Sequence, residues 1–400
     1  MSESCLRQRE RTVRSAWVPA TMTLALCPGL KTAAEDQGGY RFENYREDGS
    51  RIRVETQSGL FEFQPRPWLN FNGEVVYDAI SGASPTGAPP PSTIQFIPGP
   101  DGNPPPGASS TSVPISPMHD IRWAGSLSAT FSYKQHRFTP QISYGEEHDY
   151  RARGAALNYS LDLNEKNTTL NLGWSHNWDE VLPNGFLHTS QNKETTDLIA
   201  GVNQLLGPKT VLTVNFAYGH GRGYLNDQYK GVLFDNEPQG DPSAPALEPE
   251  NRPRQRDKYI GYASLTQDLT PLHASVEGSY RFMYDSYAVS AHTFQLAWFQ
   301  KIGSYVLISP MVRYYRQGAA SFYYVRLPDF DTRPSYYSAD YRLSEMETFT
   351  VGVTASFKLK EWLTVDAGYK RYIMQGLDGI TSSTAYPKAN IFTVGARVWF

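Results

Sequence analysis

The sequence predicts an all-β protein, a closed antiparallel transmembrane β-barrel of about 16 strands with long loops at one end and short turns at the other. Three observations predict it. The first is the last eleven residues, where Phe392, Val394, Ala396, Val398 and Phe400 alternate with Ile391, Thr393, Gly395, Arg397 and Trp399. Side chains on a strand alternate faces, so this segment has one continuously apolar face and one that carries an arginine and small residues. The second is the recurrence of that alternation along the chain. The third is that long and short connections themselves alternate between its runs.

Composition agrees. The chain has 400 residues, 26 of them Tyr, with aromatics at 13% and hydrophobics at only 40%. No run of about 18 apolar residues follows the N-terminal region, which excludes a helical membrane protein. A barrel escapes that test because its lumen-facing positions are polar.

The first residues read as an export signal over 1–34. Arg7, Arg9, Arg11 and Arg14 precede the apolar run Ala16 to Leu26, and Thr32, Ala33 and Ala34 offer a small-residue cleavage site. Leu26 is too large to precede a lipidated cysteine. Cleavage after Ala34 would remove both cysteines, Cys5 and Cys27, leaving a mildly acidic chain of 35–400 with no disulfide or cysteine metal site. That mild charge argues against nucleic-acid binding, which needs a concentrated basic face.

Taken in order, Gly39 to Glu47 is a first strand, broken at Asp48-Gly49. In Arg51 to Gln64 the apolar parity changes, with Ile52 and Val54 on one side and Phe61 and Phe63 on the other, which predicts a bulge near Ser58-Gly59. Trp68 to Ile80 alternates Leu69, Phe71, Val75 and Tyr77 against Asn70, Asn72, Glu74 and Asp78. Residues 82–118 hold eleven prolines and read as a long solvated loop, since proline cannot donate to a ladder. Strands follow near 119–133, 137–147, 150–163, 168–180, 193–206 and 209–222, then a second long loop at 223–256. Four more run near 257–269, 271–284, 287–300 and 303–316 before a third loop at 317–344. The clearest pair comes next: Phe349 to Leu359 alternate against Thr348 to Lys358, and Leu363 to Tyr369 against Thr364 to Lys370.

Counting back from Phe400 as a periplasmic end puts 82–118, 181–192, 223–256, 317–344 and 376–386 outside. The tight connections near 65, 135, 165, 207, 270, 302 and 360 then fall on the periplasmic side. Long outer loops and short inner turns are the asymmetry of bacterial outer-membrane barrels. The terminal strand is also similar to the closing strand of such barrels, with Phe392, Val394, Val398 and Phe400 as the assembly signal. The resemblance extends to a family. VYDAISGASP at 76–85, EHDY at 147–150, NEKNTTL at 164–170, GYLNDQYK at 223–230, YRFMYDS at 280–286, RYYRQ at 313–317 and SADYRLS at 338–344 resemble a bacterial family catalogued as domain of unknown function 3570. That resemblance implies an outer-membrane barrel and no particular activity.

Parity assigns Glu74, Glu277, Lys358, Asp366, Lys370 and Arg397 to the lumen, together with Arg122, Asp162, Arg281 and Arg313. A charge facing lipid is costly, so lumen placement is forced whether or not the residue has a role. A sharper group collects near the outer rim: Asp78, Asp120, Asp149, Asp227, Asp285 and Asp340, with Arg122, Arg281, Arg313, Arg316 and Arg342 and with Tyr224, Tyr284, Tyr315 and Tyr323. Arginine bonds carboxylates bidentately and tyrosine adds a rigid donor. The group reads as a belt pinning the loops over the mouth, as a solute-binding constriction, or as a carboxylate site for calcium.

Catalysis is not expected. His176 sits among lipid-facing Trp174 and Trp178, His220 and His273 stand alone, and no phosphate loop, dinucleotide fingerprint or zinc motif appears. No cofactor or metal is called for. The expected partners are outer-membrane lipid, the barrel-assembly machinery and a periplasmic or surface protein. The sequence thus predicts a channel or transporter for a small polar solute, with a loop-plugged scaffold that anchors a partner protein as the alternative.

Overall fold

The computed structural model describes residues 36–85, 115–235 and 246–400. The export segment 1–34 and residues 86–114 of the proline-rich stretch lie outside the described residues. The strands are β1 (Gln37–Glu47), β2 (Ile52–Arg66), β3 (Leu69–Pro85), β4 (Ile115–Tyr133), β5 (His136–Glu146), β6 (Tyr150–Leu163), β7 (Thr168–Val181), β8 (Gln191–Gly207) and β9 (Thr210–Gly223). After two short strands, β10 (Gly231–Phe234) and β11 (Ala246–Pro249), come β12 (Gln255–Leu269), β13 (Ala274–Asp285), β14 (Ser290–Ile302) and β15 (Val306–Gln317). The two-residue β16 (Arg326–Leu327) precedes β17 (Met346–Lys360), β18 (Leu363–Gly376) and β19 (Lys388–Trp399).

All except β10, β11 and β16 form one closed antiparallel barrel in chain order. Among the described residues that makes sixteen strands, as the alternation predicts. The cylinder closes where β1 pairs with β19, from Gln37 opposite Trp399 to Glu47 opposite Ala389. Closure leaves no unpaired ladder edge, the requirement for crossing a bilayer with strands. The outer wall is apolar: Ile142, Leu172, Phe216 and Val394 are all exposed. Asn158, Asp162, Asn171, Thr213 and Ser264, at the alternate positions, are buried in the inner wall.

Seven short turns, at 67–68, 134–135, 164–167, 208–209, 270–273, 303–305 and 361–362, gather at the end that also holds Asp36 and Phe400. The longer connections gather at the other end. Three details depart from the sequence reading. β3 and β4 continue into the proline-rich stretch, with Ala83, Ser84 and Pro85 opposite Pro117, Ser116 and Ile115, so that 82–118 is not all loop. β13, β14 and β15 each begin three residues later than predicted; for β13 the reason is that Thr270-Pro271-Leu272 winds into a 3₁₀ turn closed by His273 at φ 50°. Proline lacks the N–H that a strand there would need.

The third departure is informative. There is no bulge at Ser58-Gly59, since β1 and β2 pair in unbroken register from Gln37–Glu62 to Arg46–Arg53. Ile52 and Val54 face inward because the loop end of the lumen is apolar, with Tyr45, Ile52, Ala389 and Ile391 packed together and Val54, Ile80 and Tyr372 against them. The apolar residues switch face where the interior changes from wet to packed, with no change of register.

Gly82 ends this region at φ 121°, and a Cβ there would lie 1.7 Å from the Arg51 carbonyl oxygen. Gly82→Ala must move backbone, at a cost of about 1–3 kcal/mol. The expected result is faster hydrogen exchange in the upper rungs of β2 and β3, with the remaining barrel amides unchanged.

Candidate functional site in the capped mouth

Residues 224–235 and 246–254, after β9, and 318–345, after β15, fold into a cap over the loop end. β10 pairs antiparallel with β11 and parallel with β16, joining the two segments in a three-stranded sheet. Val232 and Phe234 are fully buried against Leu327, Tyr337 and Ala339, and the Phe234 ring meets Phe330 and Tyr337 edge-on at 5.1 and 5.5 Å. A second cluster of Tyr287, Val289, Ala320, Phe322 and Leu343 ties the cap to the loop after β13. A third, of Tyr341, Met346, Met374, Ala385 and Tyr386, ties it to β17, β18 and the loop after β18. The cap therefore has its own apolar core.

Its polar centre is an ion network. Arg252 donates to Glu250 (2.9 Å) and Asp340 (2.8 Å), while Arg342 donates to Asp340 (2.5 to 2.9 Å) and to Asp227. Each arginine thus bridges carboxylates, and both cap segments are stitched together. Ser338 donates to Glu250 at 2.5 Å, and the Asp227 amide donates to the same carboxylate at 2.5 Å. Burial by itself would raise Asp340, but Arg342 and Arg252 outweigh it and hold the carboxyl well below the usual carboxylate range. Burial pushes Glu250 up, and Arg252 offsets that only in part. Lys230, buried, is pushed down against the pull of Asp227.

The cap reaches across the mouth. Lys230 donates to Ser84 Oγ (3.2 Å) and to the Pro85 carbonyl at the end of β3, six strands round from β9, and lies over the Tyr341 ring. Gln228 (2.5 Å) and Tyr229 both donate to Asp149, between β5 and β6. On the far side Arg51 donates to the Thr384 and Ala385 carbonyls, and Tyr323 shares a hydrogen bond with Thr381 at 2.6 Å.

The predicted rim residues therefore divide. Asp227, Asp340 and Arg342 meet in the cap. Arg122 pairs with Asp78 on the wall, and Asp120 lies 3.4 Å from His148. Asp285 pairs with Arg256 (2.8 Å) and accepts the Tyr287 and Val289 amides. Arg281, Arg313 and Tyr315 face the lumen below the cap. Arg316 and Tyr284, by contrast, face outward: Arg316 pairs with Glu345 at 3.1 Å, and Tyr284 is exposed. Asp120, His148 and Asp149 bring ligand atoms within 4.8 Å of one another, but Asp149 is already filled by donors from the cap.

Among the lumen positions, Asp366 pairs with Arg397 at 3.2 Å and Glu277 accepts from Thr266 at 3.1 Å. Lys358 pairs with Glu361 at the turn end. Lys370 is a charged neighbour of Glu43, and Glu74 occupies its inward position on β3. Sequence reasoning missed Lys230, Glu250, Arg252 and Arg256. The available signal was Glu250-Asn251-Arg252, an opposite-charge pair inside a proline-rich loop.

The fold and its inside-out wall define an outer-membrane-type β-barrel. The chain belongs to the family described as "Protein of unknown function (DUF3570)", whose model matches residues 15–190 and 186–389. No curated protein matches the sequence. Among solved structures, CdiB from Acinetobacter baumannii aligns at TM-score 0.52 and 8% identity, over 92% of this chain and 60% of that one. The siderophore receptor PirA from Pseudomonas aeruginosa aligns at TM-score 0.41 and 10% identity, over 92% and 62%. A bacterial polysaccharide outer membrane secretin aligns at 0.47 and 7%, over 92% and 100%. This chain spans about three fifths of the length of the first solved structures it matches. At these identities the likeness concerns the barrel alone.

Proposed function

We propose that the protein lies in a bacterial outer membrane with its loop end outward and passes a small polar solute, the cap restricting the outer mouth. The observation that supports this most is the inner wall. Below the cap it is lined by oppositely charged side-chain pairs, Asp78–Arg122, Asp162–Arg137 and Asp366–Arg397, where a filled barrel would carry apolar side chains. Barrels of this strand number leave an aqueous channel when nothing fills them. On this reading the protein is a conduit, not a catalyst, and outward-facing Phe392, Val394, Val398 and Phe400 address it to a barrel-assembly machinery.

The packed core of the cap favours a second reading, a plugged scaffold that holds a partner protein. Planar-bilayer recording separates the two. Wild type is expected to give small or brief steps, and a D227A/R342A variant, which unstitches the cap segments, larger and longer ones. No current from either folded protein overturns passage and leaves the scaffold.

A further inference from the structure

On the inner wall below the cap, one row of polar side chains is built around an arginine that has no ion pair among the described residues. Gln295 on β14 lies opposite Arg313 on β15, Arg313 opposite Thr350 on β17, and Thr350 opposite Tyr372 on β18. All four alternate with outward residues: Phe294, Leu296, Phe349 and Val351 are exposed on the outer wall. They therefore project into the lumen side by side. Neighbouring strands are about 4.8 Å apart, so the row spans roughly 14 Å.

What distinguishes this row is its chemistry. The arginines on this wall that do have an ion pair, Arg122, Arg137, Arg256 and Arg397, each hold an aspartate. Arg41 has Glu43 beside it. The ionisable neighbours of Arg313 are the phenols of Tyr372 and Tyr315, and among the described residues no carboxylate pairs with it. Tyr315, one step above, has Arg281 and Arg256 as further cationic neighbours and Asp285, which Arg256 holds, as its acidic one. A guanidinium cannot shed its charge by losing a proton, so a half-buried one without a protein counter-ion is a standing demand for an anion. Gln295, Thr350 and Tyr372 add neutral donors on either side.

The row also has a roof. Tyr315 and Tyr372 pack against the cap cluster of Tyr341, Met346, Met374, Ala385 and Tyr386. A solute held by the row would lie directly beneath the element that closes the mouth.

We infer that Arg313, with Gln295, Thr350 and Tyr372, forms a binding site for a small organic anion presenting a carboxylate or a phosphate. Its role as the selecting site of the channel rests on the proposed passage; the binding does not. The guanidinium takes two oxygens of the anion side by side, and the flanking amide and hydroxyls take its remaining polar groups.

Calorimetric titration of the folded, full-length barrel in detergent tests the site without any need for conduction. Inorganic phosphate and succinate serve as probes, and glycerol as the uncharged control. The expected result is saturable binding of one of the two anions and none of glycerol. R313Q should weaken it at least tenfold, R313K less, and Y372F by a smaller factor. Binding of phosphate alone or succinate alone identifies the anion class. Folding of each variant is checked by its heat-dependent shift in gel mobility. No saturable binding by wild type, or equal affinity in folded R313Q and Y372F, overturns the site. A protein that binds the anion but carries no current retains the site and loses the passage reading.

Discussion

Asp340→Ala is expected to free the cap while leaving the barrel closed. Asp340 accepts from both Arg252 and Arg342, and its side chain also caps the 3₁₀ turn Tyr341–Leu343 by accepting the Arg342 amide at 3.1 Å. Removing it leaves two buried guanidiniums sharing Glu250 and Asp227. Breaking one side of a buried ion pair costs about 3–5 kcal/mol, enough to open an element held by a few small clusters. Limited proteolysis should then cut within 318–345, while the heat-dependent gel shift of the barrel stays as in wild type. Resistance equal to wild type would show that the apolar clusters alone hold the cap.

The same network sets a pH dependence. The carboxyl of Asp340 is depressed in the folded protein, so its stabilisation is complete above its unfolded value near 3.9 and fades as pH falls through the lower folded value. Glu250 is raised, so its charge is a cost that acidification relieves. The cap segments 224–254 and 318–345 contain no histidine. Proteolysis of the cap is therefore expected to be no faster at pH 5 than at pH 7.5. Faster cutting at pH 5 would contradict the assigned pairing.

Val394→Arg should be the most damaging change on the barrel wall. Val394 sits midway along β19, opposite Phe42 on the closing seam and Ala367 on β18, with its side chain exposed on the outer face. An arginine at that depth would face hydrocarbon at a cost of about 2–4 kcal/mol. Folding into lipid vesicles should fall in yield, whereas the inward substitution Thr393→Ser in the same strand should fold as wild type. Equal yields for both would mean that the two faces are assigned the wrong way round.

The wall was legible because a strand encodes its two environments in adjacent residues. Phe349 and Thr350, or Leu172 and Asn171, report lipid and lumen within two positions, and this local signal recurs in strand after strand. The cap was not legible because its bonds are non-local: Arg342 meets Asp227 across 115 positions and Lys230 meets Ser84 across 146. Alternation says nothing about which loop charge meets which. It also misled at Ile52 and Val54, whose inward apolar faces are explained by the packed loop end of the lumen. Arg316 illustrates the opposite limit. A charge next to the rim can face outward once its strand leaves the apolar zone, so forced lumen placement holds only at depth.

The pairing of β1 with β19 makes the ring's last joint a bond between its two most distant parts. A chain halted short of Ala389 lacks the strand that seals β1, and its two outer strands keep raw margins open to any neighbouring polypeptide. Assembly must therefore wait for a finished polypeptide. Truncation at the far end of the chain costs the seal itself, whereas a tandem-repeat protein that loses its last unit only exposes one more stacking face.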